Sequence, residues 1–160
     1  MDEKFQFKKK FGQNFLKNEK VLTRIVDVAD IKDESLIIEV GPGSGALTKY
    51  LKEKGQVLCY EIDKTLEDIL MRNFGEEKNV SIYFSDFLKQ DIKEDLKDFS
   101  YRHLYFVSNV PYYITTPILF KLINADLYFD KIVMMVQKEV GERFTSIVGK
   151  KEYGALTVLL

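Results

Sequence analysis

The sequence predicts an α/β domain in which a mostly parallel sheet carries helices on both faces. Five apolar runs with strand-like composition recur along the chain, and helical patterns separate them. The runs are nearly continuous in apolar character, as expected for strands that are covered on both faces. Strands and helices that alternate with short links are typical of right-handed βαβ units. The predicted strands cover residues 36–40, 57–61, 80–84, 104–108 and 132–136.

Five helices are predicted beside these strands. The first begins after Asn18, whose side chain can cap it, and its apolar residues share one face. The second is expected to start near Ser44, directly after the first strand. In the fourth, Thr116 is the predicted cap and Pro117 lies in the first turn. The third and fifth helices are predicted at residues 66–74 and 138–144.

Composition excludes several classes of protein. A length of 160 residues suits one domain, and 46% hydrophobic residues argue against disorder. No apolar run approaches the ~18 residues that a membrane-spanning helix needs, so no membrane partner is expected. The first ten residues are charged and lack the apolar core of a secretion signal. A single cysteine, Cys59, fits a reducing compartment, and we expect a cytoplasmic protein.

Charge is unevenly distributed, although the net charge is only −1. Residues 1–17 form a basic and aromatic arm that precedes a domain of residues 18–160. Lysines can neutralise phosphates and exposed aromatic rings can stack on bases. For this segment taken alone, the favoured interpretation is a solvated arm whose phenylalanines pack on the domain. The arm contains Phe5, Phe7, Lys8, Lys9, Lys10, Phe11, Phe15 and Lys17.

A glycine-rich turn follows the first predicted strand. Gly41, Gly43 and Gly45 alternate with other residues, which permits a sharp turn and lets a ligand approach the backbone. Ligands of parallel sheets bind at the carboxyl ends of the strands, where this turn is predicted to lie. The turn by itself suits NAD, FAD or S-adenosylmethionine equally well, and it also suits a purely structural role.

Acidic residues follow the second and third strands. Glu61 suits the hydroxyls of a ribose, because a carboxylate can accept hydrogen bonds from both of them. Asp63 is an alternative to it two residues later. Asp86 can accept a hydrogen bond from the amino group of an adenine, and Phe87 would line the ring. Glu61 favours an adenosine-containing cofactor without separating NAD from S-adenosylmethionine.

The segment after the fourth strand indicates chemistry on an adenine. The exocyclic amine of adenine is a poor nucleophile, so a catalyst should accept its hydrogen bonds and orient it. Asn109 offers a side-chain oxygen and Val110 a main-chain carbonyl, which Pro111 would hold in an extended geometry. Tyr112 offers a flat face for an unstacked base. Positioning can supply much of the acceleration, and no metal site is expected around the lone His103.

These motifs resemble those of the ribosomal RNA adenine dimethyltransferases, from about residue 11 to residue 160. That family is similar to the erythromycin-resistance rRNA methyltransferases and to mitochondrial transcription factor B. The resemblance implies a Rossmann-like, class I S-adenosylmethionine-dependent methyltransferase fold. It also implies that Asn109, Val110 and Tyr112 hold the target adenine. The cofactor contacts that it implies are Asn14, Leu16, Gly41, Gly43, Glu61, Asp86 and Asn109.

The activity implied by the resemblance is dimethylation of N6 of adjacent adenines in small-subunit (16S) ribosomal RNA, on immature small subunits. Residues 137–140 and 153–156 favour this branch over methylation of large-subunit RNA that confers antibiotic resistance. A non-catalytic assembly or transcription factor on the same fold remains an alternative. A NAD dehydrogenase would leave Asp86 and Asn109 without a purpose.

The sequence departs from the family pattern at two places. Val110 stands where leucine is more common, and relatives continue after Leu160 into two further strands and a helical domain. The chain is therefore expected to be a C-terminally truncated catalytic domain that is weak or inactive by itself. Without those strands, residues 132–136 would form an unpaired sheet edge, which predicts self-association.

Overall fold

A computed structural model of the chain describes residues 18–136 and 141–142, and the predicted arm of residues 1–17 lies outside this range. All five predicted strands are found, with ends that differ from prediction by one or two residues. They pair in parallel in the order β3-β2-β1-β4-β5, which confirms the predicted parallel sheet. The strands are β1 (Ser35–Val40), β2 (Gln56–Tyr60), β3 (Val80–Tyr83), β4 (His103–Ser108) and β5 (Lys131–Met134).

The strand order reverses at β1. From β1 the chain moves outward to β2 and β3, and it then returns to place β4 on the other side of β1. Connections that leave in opposite directions open a crevice at the carboxyl ends of the two central strands. The segments that follow β1, β2, β3 and β4 therefore meet near one edge of the sheet. The predicted site residues lie in these segments.

The helices in the described residues lie beside the strands. Asn18 caps the first helix as predicted, since its side-chain oxygen accepts a hydrogen bond from the Lys20 N–H at 3.1 Å. A 3₁₀ turn over Lys64–Leu66 leads directly into the third helix. Of the helix predicted at residues 138–144, only residues 141–142 are described, and they are helical. The helices are α1 (Glu19–Ala29), α2 (Thr48–Leu51), α3 (Glu67–Phe74), α4 (Ile92–Asp95) and α5 (Thr115–Ile123).

Two predicted helix starts are wrong. The second helix begins at Thr48 rather than near Ser44, because Gly45 has a φ of 86°, which a right-handed helix cannot contain. The helix α5 begins at Thr115, so Thr116 is inside it and is not its cap. A 3₁₀ turn over Tyr112–Ile114 runs straight into α5, and Pro117 is tolerated because first-turn N–H groups need no helical partner.

The hydrophobic core lies on both faces of the sheet. Alternate residues of β1 point to opposite faces, with Leu36 and Ile38 in one cluster and Ile37 in the other. The first cluster includes Ile118 of α5, and the second packs under Leu22 of α1. This arrangement confirms the prediction of helices on both faces. Within the described part of the chain, no helix combines the length and apolar character needed to cross a membrane.

The strand β5 is the last strand on its side of the described sheet. The unpaired sheet edge at residues 132–136 and self-association through it both stay predictions. At the amino end of β4, Nδ1 of His103 lies 2.8 Å from Oδ1 of Asp130. The imidazole is partly buried in this pair. Among the described residues, no cluster of His, Cys, Asp and Glu could hold a metal ion.

Candidate functional site

A cavity of about 230 Å³ lies at the carboxyl ends of the central strands. The structure brings six of the predicted site residues together in its lining. The backbone of Tyr112 lies in the adjoining 3₁₀ turn, and its side chain is not among the described ones. Asn14 and Leu16 lie outside the described residues. The six lining residues are Gly41, Gly43, Glu61, Asp86, Asn109 and Val110.

The glycine-rich turn forms one wall of the cavity. Gly41, Gly43 and Gly45 all have positive φ values, of 68°, 61° and 86°, which other L-residues rarely adopt. A Cβ at Gly41 would meet no atom within 4 Å, so space remains beside that backbone. A Cβ at Gly45 would lie 2.1 Å from the Phe74 ring. The turn therefore leaves room at its first glycine and packs tightly against α3 at its last.

Glu61 is fixed to the glycine-rich turn. Its Oε2 accepts a hydrogen bond from the Gly43 N–H at 3.1 Å, and its Oε1 accepts one from the Asp63 N–H at 2.9 Å. Burial raises the pKa of Glu61, and these backbone hydrogen bonds oppose that effect. A carboxylate has about four acceptor positions, so the group retains capacity for a ligand hydroxyl.

The segment after β3 contributes a carboxylate, a ring and a hydroxyl. Oδ1 of Asp86 accepts a hydrogen bond from the Leu88 N–H at 3.0 Å and so caps the 3₁₀ turn that follows. The Phe87 side chain is buried and lines the cavity. Ser85 lines it too, and its buried Oγ has no hydrogen-bond partner among the described residues. A buried hydroxyl without a partner is costly, so this atom is suited to a hydrogen bond with a polar ligand in the cavity.

The segment after β4 presents two free acceptors. No hydrogen bond to the Asn109 side chain or to the Val110 carbonyl is found among the described residues. Pro111 has a φ of −57° and a ψ of 142°, and its carbonyl accepts from the Ile114 N–H at 3.2 Å. Just before them, the Ser108 hydroxyl donates to the Val40 carbonyl at 2.6 Å and ties β4 to β1. This bridge fixes the segment relative to the glycine-rich turn.

Glu39 is a site residue whose role the sequence did not reveal. It lies in β1, is 2% exposed and lines the cavity. Its Oε2 accepts hydrogen bonds from the Thr48 hydroxyl at 2.7 Å and from the Cys59 thiol at 3.6 Å. Burial raises the pKa of Glu39 to about 7, although the two hydrogen bonds oppose this rise. A carboxylate inside an otherwise apolar strand was the available signal.

The sheet order and the cavity define a doubly wound α/β domain with a ligand site at the reversal of its strands. The chain matches the family described as ribosomal RNA adenine dimethylase over residues 4–160. It therefore belongs to that family, which confirms the resemblance inferred from the motifs.

Curated relatives agree with this assignment. Proteins named ribosomal RNA small subunit methyltransferase A from Streptococcus pneumoniae strains D39 / NCTC 7466 and ATCC BAA-255 / R6 are 44% identical to the chain over 157 residues. The match covers 96% of this chain and 54% of each relative. The chain thus spans about half the length of the curated relatives that it matches.

Solved structures show the same fold. A dimethyladenosine transferase from Plasmodium falciparum superposes with a TM-score of 0.76 and 30% identity, over 91% of this chain and 51% of that chain. The 23S rRNA methyltransferase ErmE gives a TM-score of 0.69 and 29% identity, over 82% of this chain and 51% of that chain. The Rossmann-like methyltransferase fold predicted from the sequence is therefore confirmed.

Proposed function

We propose that this chain is the cofactor-binding catalytic domain of an enzyme that dimethylates N6 of adjacent adenines in small-subunit ribosomal RNA. The observation that carries the proposal is the convergence of Glu61, Asp86 and Asn109 on one cavity beside the glycine-rich turn. Family membership and the names of the 44% identical relatives support it. Since the chain spans about half of those relatives, the complete activity belongs to a protein of their full length.

S-adenosylmethionine fits the residues that line the cavity. Glu61 has spare acceptor positions for ribose hydroxyls, and Asp86 can accept from an adenine amino group. Ser85 supplies a buried hydroxyl that has no hydrogen-bond partner among the described residues, which is expected where a polar ligand binds. We propose that Asn14 and Leu16 of the arm complete this site. The bound cofactor supplies an electrophilic methyl group on its sulfonium.

The target adenine is held by the segment after β4. The side-chain oxygen of Asn109 and the carbonyl of Val110 would each accept a hydrogen bond from one N–H group of the adenine amine. These two hydrogen bonds would orient the lone pair of the amine nitrogen. The Asn109 side chain and the Val110 carbonyl have no hydrogen-bond partners among the described residues. Binding of the adenine therefore need not break an existing hydrogen bond. The Tyr112 ring would stack on a base that has left its helix. Rate acceleration then comes mainly from position and orientation.

We propose that the partner is the immature small ribosomal subunit. A protein that acts on this partner is expected in the cytoplasm. The 44% identical relatives are small-subunit enzymes by name, whereas the large-subunit enzyme ErmE is 29% identical. This difference favours the small subunit as substrate. Mass mapping of the methylated RNA distinguishes the two branches.

Substitution of Glu61 by glutamine tests the cofactor assignment. Hydrogen bonds to charged groups contribute roughly 1.5–3 kcal/mol, so the affinity for S-adenosylmethionine should fall about ten- to a hundredfold. Titration calorimetry measures this affinity directly. The matched control is Glu67→Gln, which removes the same charge from an exposed position on α3. Equal affinity in both variants would show that Glu61 does not bind the ribose.

A further inference from the structure

We propose that Lys121 is a positioning residue for the cofactor. It fastens the turn that presents Asp86 and Phe87 to the helix α5, and it thereby keeps that turn in the shape that binds the ligand. The inference rests on the proposed function, because the ligand is taken to be S-adenosylmethionine. It goes beyond the contacts proposed above, since Lys121 does not line the cavity and acts through residues that do.

The Lys121 ammonium is directed at one end of this turn. Its Nζ donates hydrogen bonds to the Gln90 carbonyl at 2.6 Å and to the Leu88 carbonyl at 3.2 Å. It also lies 5.7 Å from the centre of the Phe87 ring. The two carbonyls are at the carboxyl end of the 3₁₀ turn over Phe87–Lys89. Carbonyls at such an end lack helical partners and carry partial negative charge, so a cation there stabilises the turn.

The same turn presents the cavity residues that follow β3. Asp86 caps its amino end through the Leu88 N–H, while Phe87 and Leu88 line the cavity. The turn is therefore held at its amino end by a carboxylate and at its carboxyl end by the Lys121 ammonium. A 3₁₀ turn of three residues has few and poorly aligned hydrogen bonds of its own. Loss of the ammonium should therefore let the turn open and displace Asp86 and Phe87.

Lys121 joins this turn to the opposite wall of the cavity. It lies on α5, which continues the segment after β4 through the 3₁₀ turn over Tyr112–Ile114. Ile118, three residues earlier on α5, lines the cavity. Among the described residues, Lys121 has no ion pair with a carboxylate, and its hydrogen bonds go to main-chain carbonyls after β3. One side chain thus links the proposed cofactor side of the cavity to the proposed target side.

Replacement of Lys121 by methionine tests this role, because methionine keeps most of the aliphatic stem and removes the charge and the donors. In titration calorimetry, Lys121→Met should bind S-adenosylmethionine about tenfold more weakly at an unchanged stoichiometry. The reason is that only a fraction of the chains would hold the turn in its binding shape, and that fraction scales the apparent affinity. Lys121→Arg keeps the charge and can donate to both carbonyls, so it should restore most of the affinity.

The matched control is Lys93→Met. Lys93 of α4 pairs with Asp126, so it also connects a segment after β3 with one after β4, but neither residue lines the cavity. This variant should bind with wild-type affinity. If Lys121 only stabilised the fold, Lys121→Met would lower the fraction of chains able to bind and leave the affinity of the rest unchanged. That result would overturn the inference, as would equal losses of affinity in the Lys93 and Lys121 variants or no rescue by arginine.

A second arm needs only the wild-type chain and does not depend on the folding of a variant. Coupling between two sites is reciprocal, so a bound cofactor that holds the turn should also hold the Lys121 ammonium. Brief acetylation with acetic anhydride, read by mass spectrometry of peptides, should label Lys121 about fivefold more slowly when S-adenosylmethionine is saturating. Lys93 in the same sample is the reference, and it corrects for reagent consumed by the ligand. Because Lys121 does not line the cavity, direct shielding by the ligand is not expected.

The two arms separate the inference from the proposed function. If S-adenosylmethionine binds the wild type and the ratio of Lys121 to Lys93 labelling stays the same, the inference is wrong and the proposed function stands. Failure of S-adenosylmethionine to bind the wild-type chain would overturn the proposed function as well.

Discussion

Replacement of Asn109 by alanine, in a protein of the full length of the relatives, is expected to lower the rate of N6-methyl transfer by about a hundredfold. The side-chain oxygen lost in this variant is one of two acceptors that orient the target amine. The Asn109 side chain makes no hydrogen bond to another described residue, so its removal should cost little stability. The effect should therefore fall on turnover more than on folding.

The assay uses immature small ribosomal subunits and counts methylated adenosines by mass spectrometry after digestion of the RNA. The control is Asn124→Ala, which removes an exposed amide that donates to the Phe120 carbonyl at the end of α5. That variant should retain the wild-type rate, because Asn124 is not part of the cavity lining. A similar rate in the Asn109 variant would exclude Asn109 from the chemical step.

As the pH rises, ionisation of Glu39 is expected to lower the free energy of unfolding of the wild-type chain by about 3 kcal/mol. Replacement of Glu39 by glutamine should abolish this decrease. In the folded chain the pKa of Glu39 is raised by burial from 4.5 to about 7. Between these two values the unfolded chain gives up its proton while the folded chain keeps it. Rising pH therefore favours unfolding in this window. The contribution is fully present below pH 4.5 and is lost as the pH approaches 7.

Urea denaturation at several pH values between 4.5 and 8 measures the profile. Other groups also titrate, among them Glu61, whose pKa is raised by burial. The difference between wild type and Glu39→Gln isolates Glu39, and Glu67→Gln controls for the loss of one surface charge. If the free energies of unfolding of wild type and Glu39→Gln change with pH in parallel, the pKa of Glu39 is the same in the folded and the unfolded chain.

Strand positions could be predicted because buried parallel strands leave a continuous apolar signal. The same signal located the site, since the ends of parallel strands converge and Gly41, Glu61, Asp86 and Asn109 each follow one. The parallel direction of the strands could be predicted from their alternation with helices, whereas their order in the sheet came from the structure. The fold and these four cavity residues were thus accessible from the sequence, whereas the role of Glu39 was not.

Other features depend on three-dimensional contacts that a local pattern does not encode. The sequence could not show that the Glu39 carboxyl meets Thr48 and Cys59, because these contacts join residues from α2 and β2. The prediction that Thr116 caps the helix is wrong because the 3₁₀ turn before α5 runs directly into the helix, which begins one residue earlier. The bridge from Ser108 to Val40 likewise follows only from strand pairing.

The proposed function requires that the cofactor binds at the carboxyl ends of β1 to β4. Amide NMR spectra of this chain, recorded during titration with S-adenosylmethionine, test it most directly. If the cofactor binds there, the amide signals of Gly41, Gly43, Asp86 and Asn109 should shift together and saturate at one ligand concentration. The signal of His103, at the opposite end of β4, should stay unchanged. Shifts that cluster around His103, or an unchanged spectrum at saturating ligand, would contradict this location of the cofactor site.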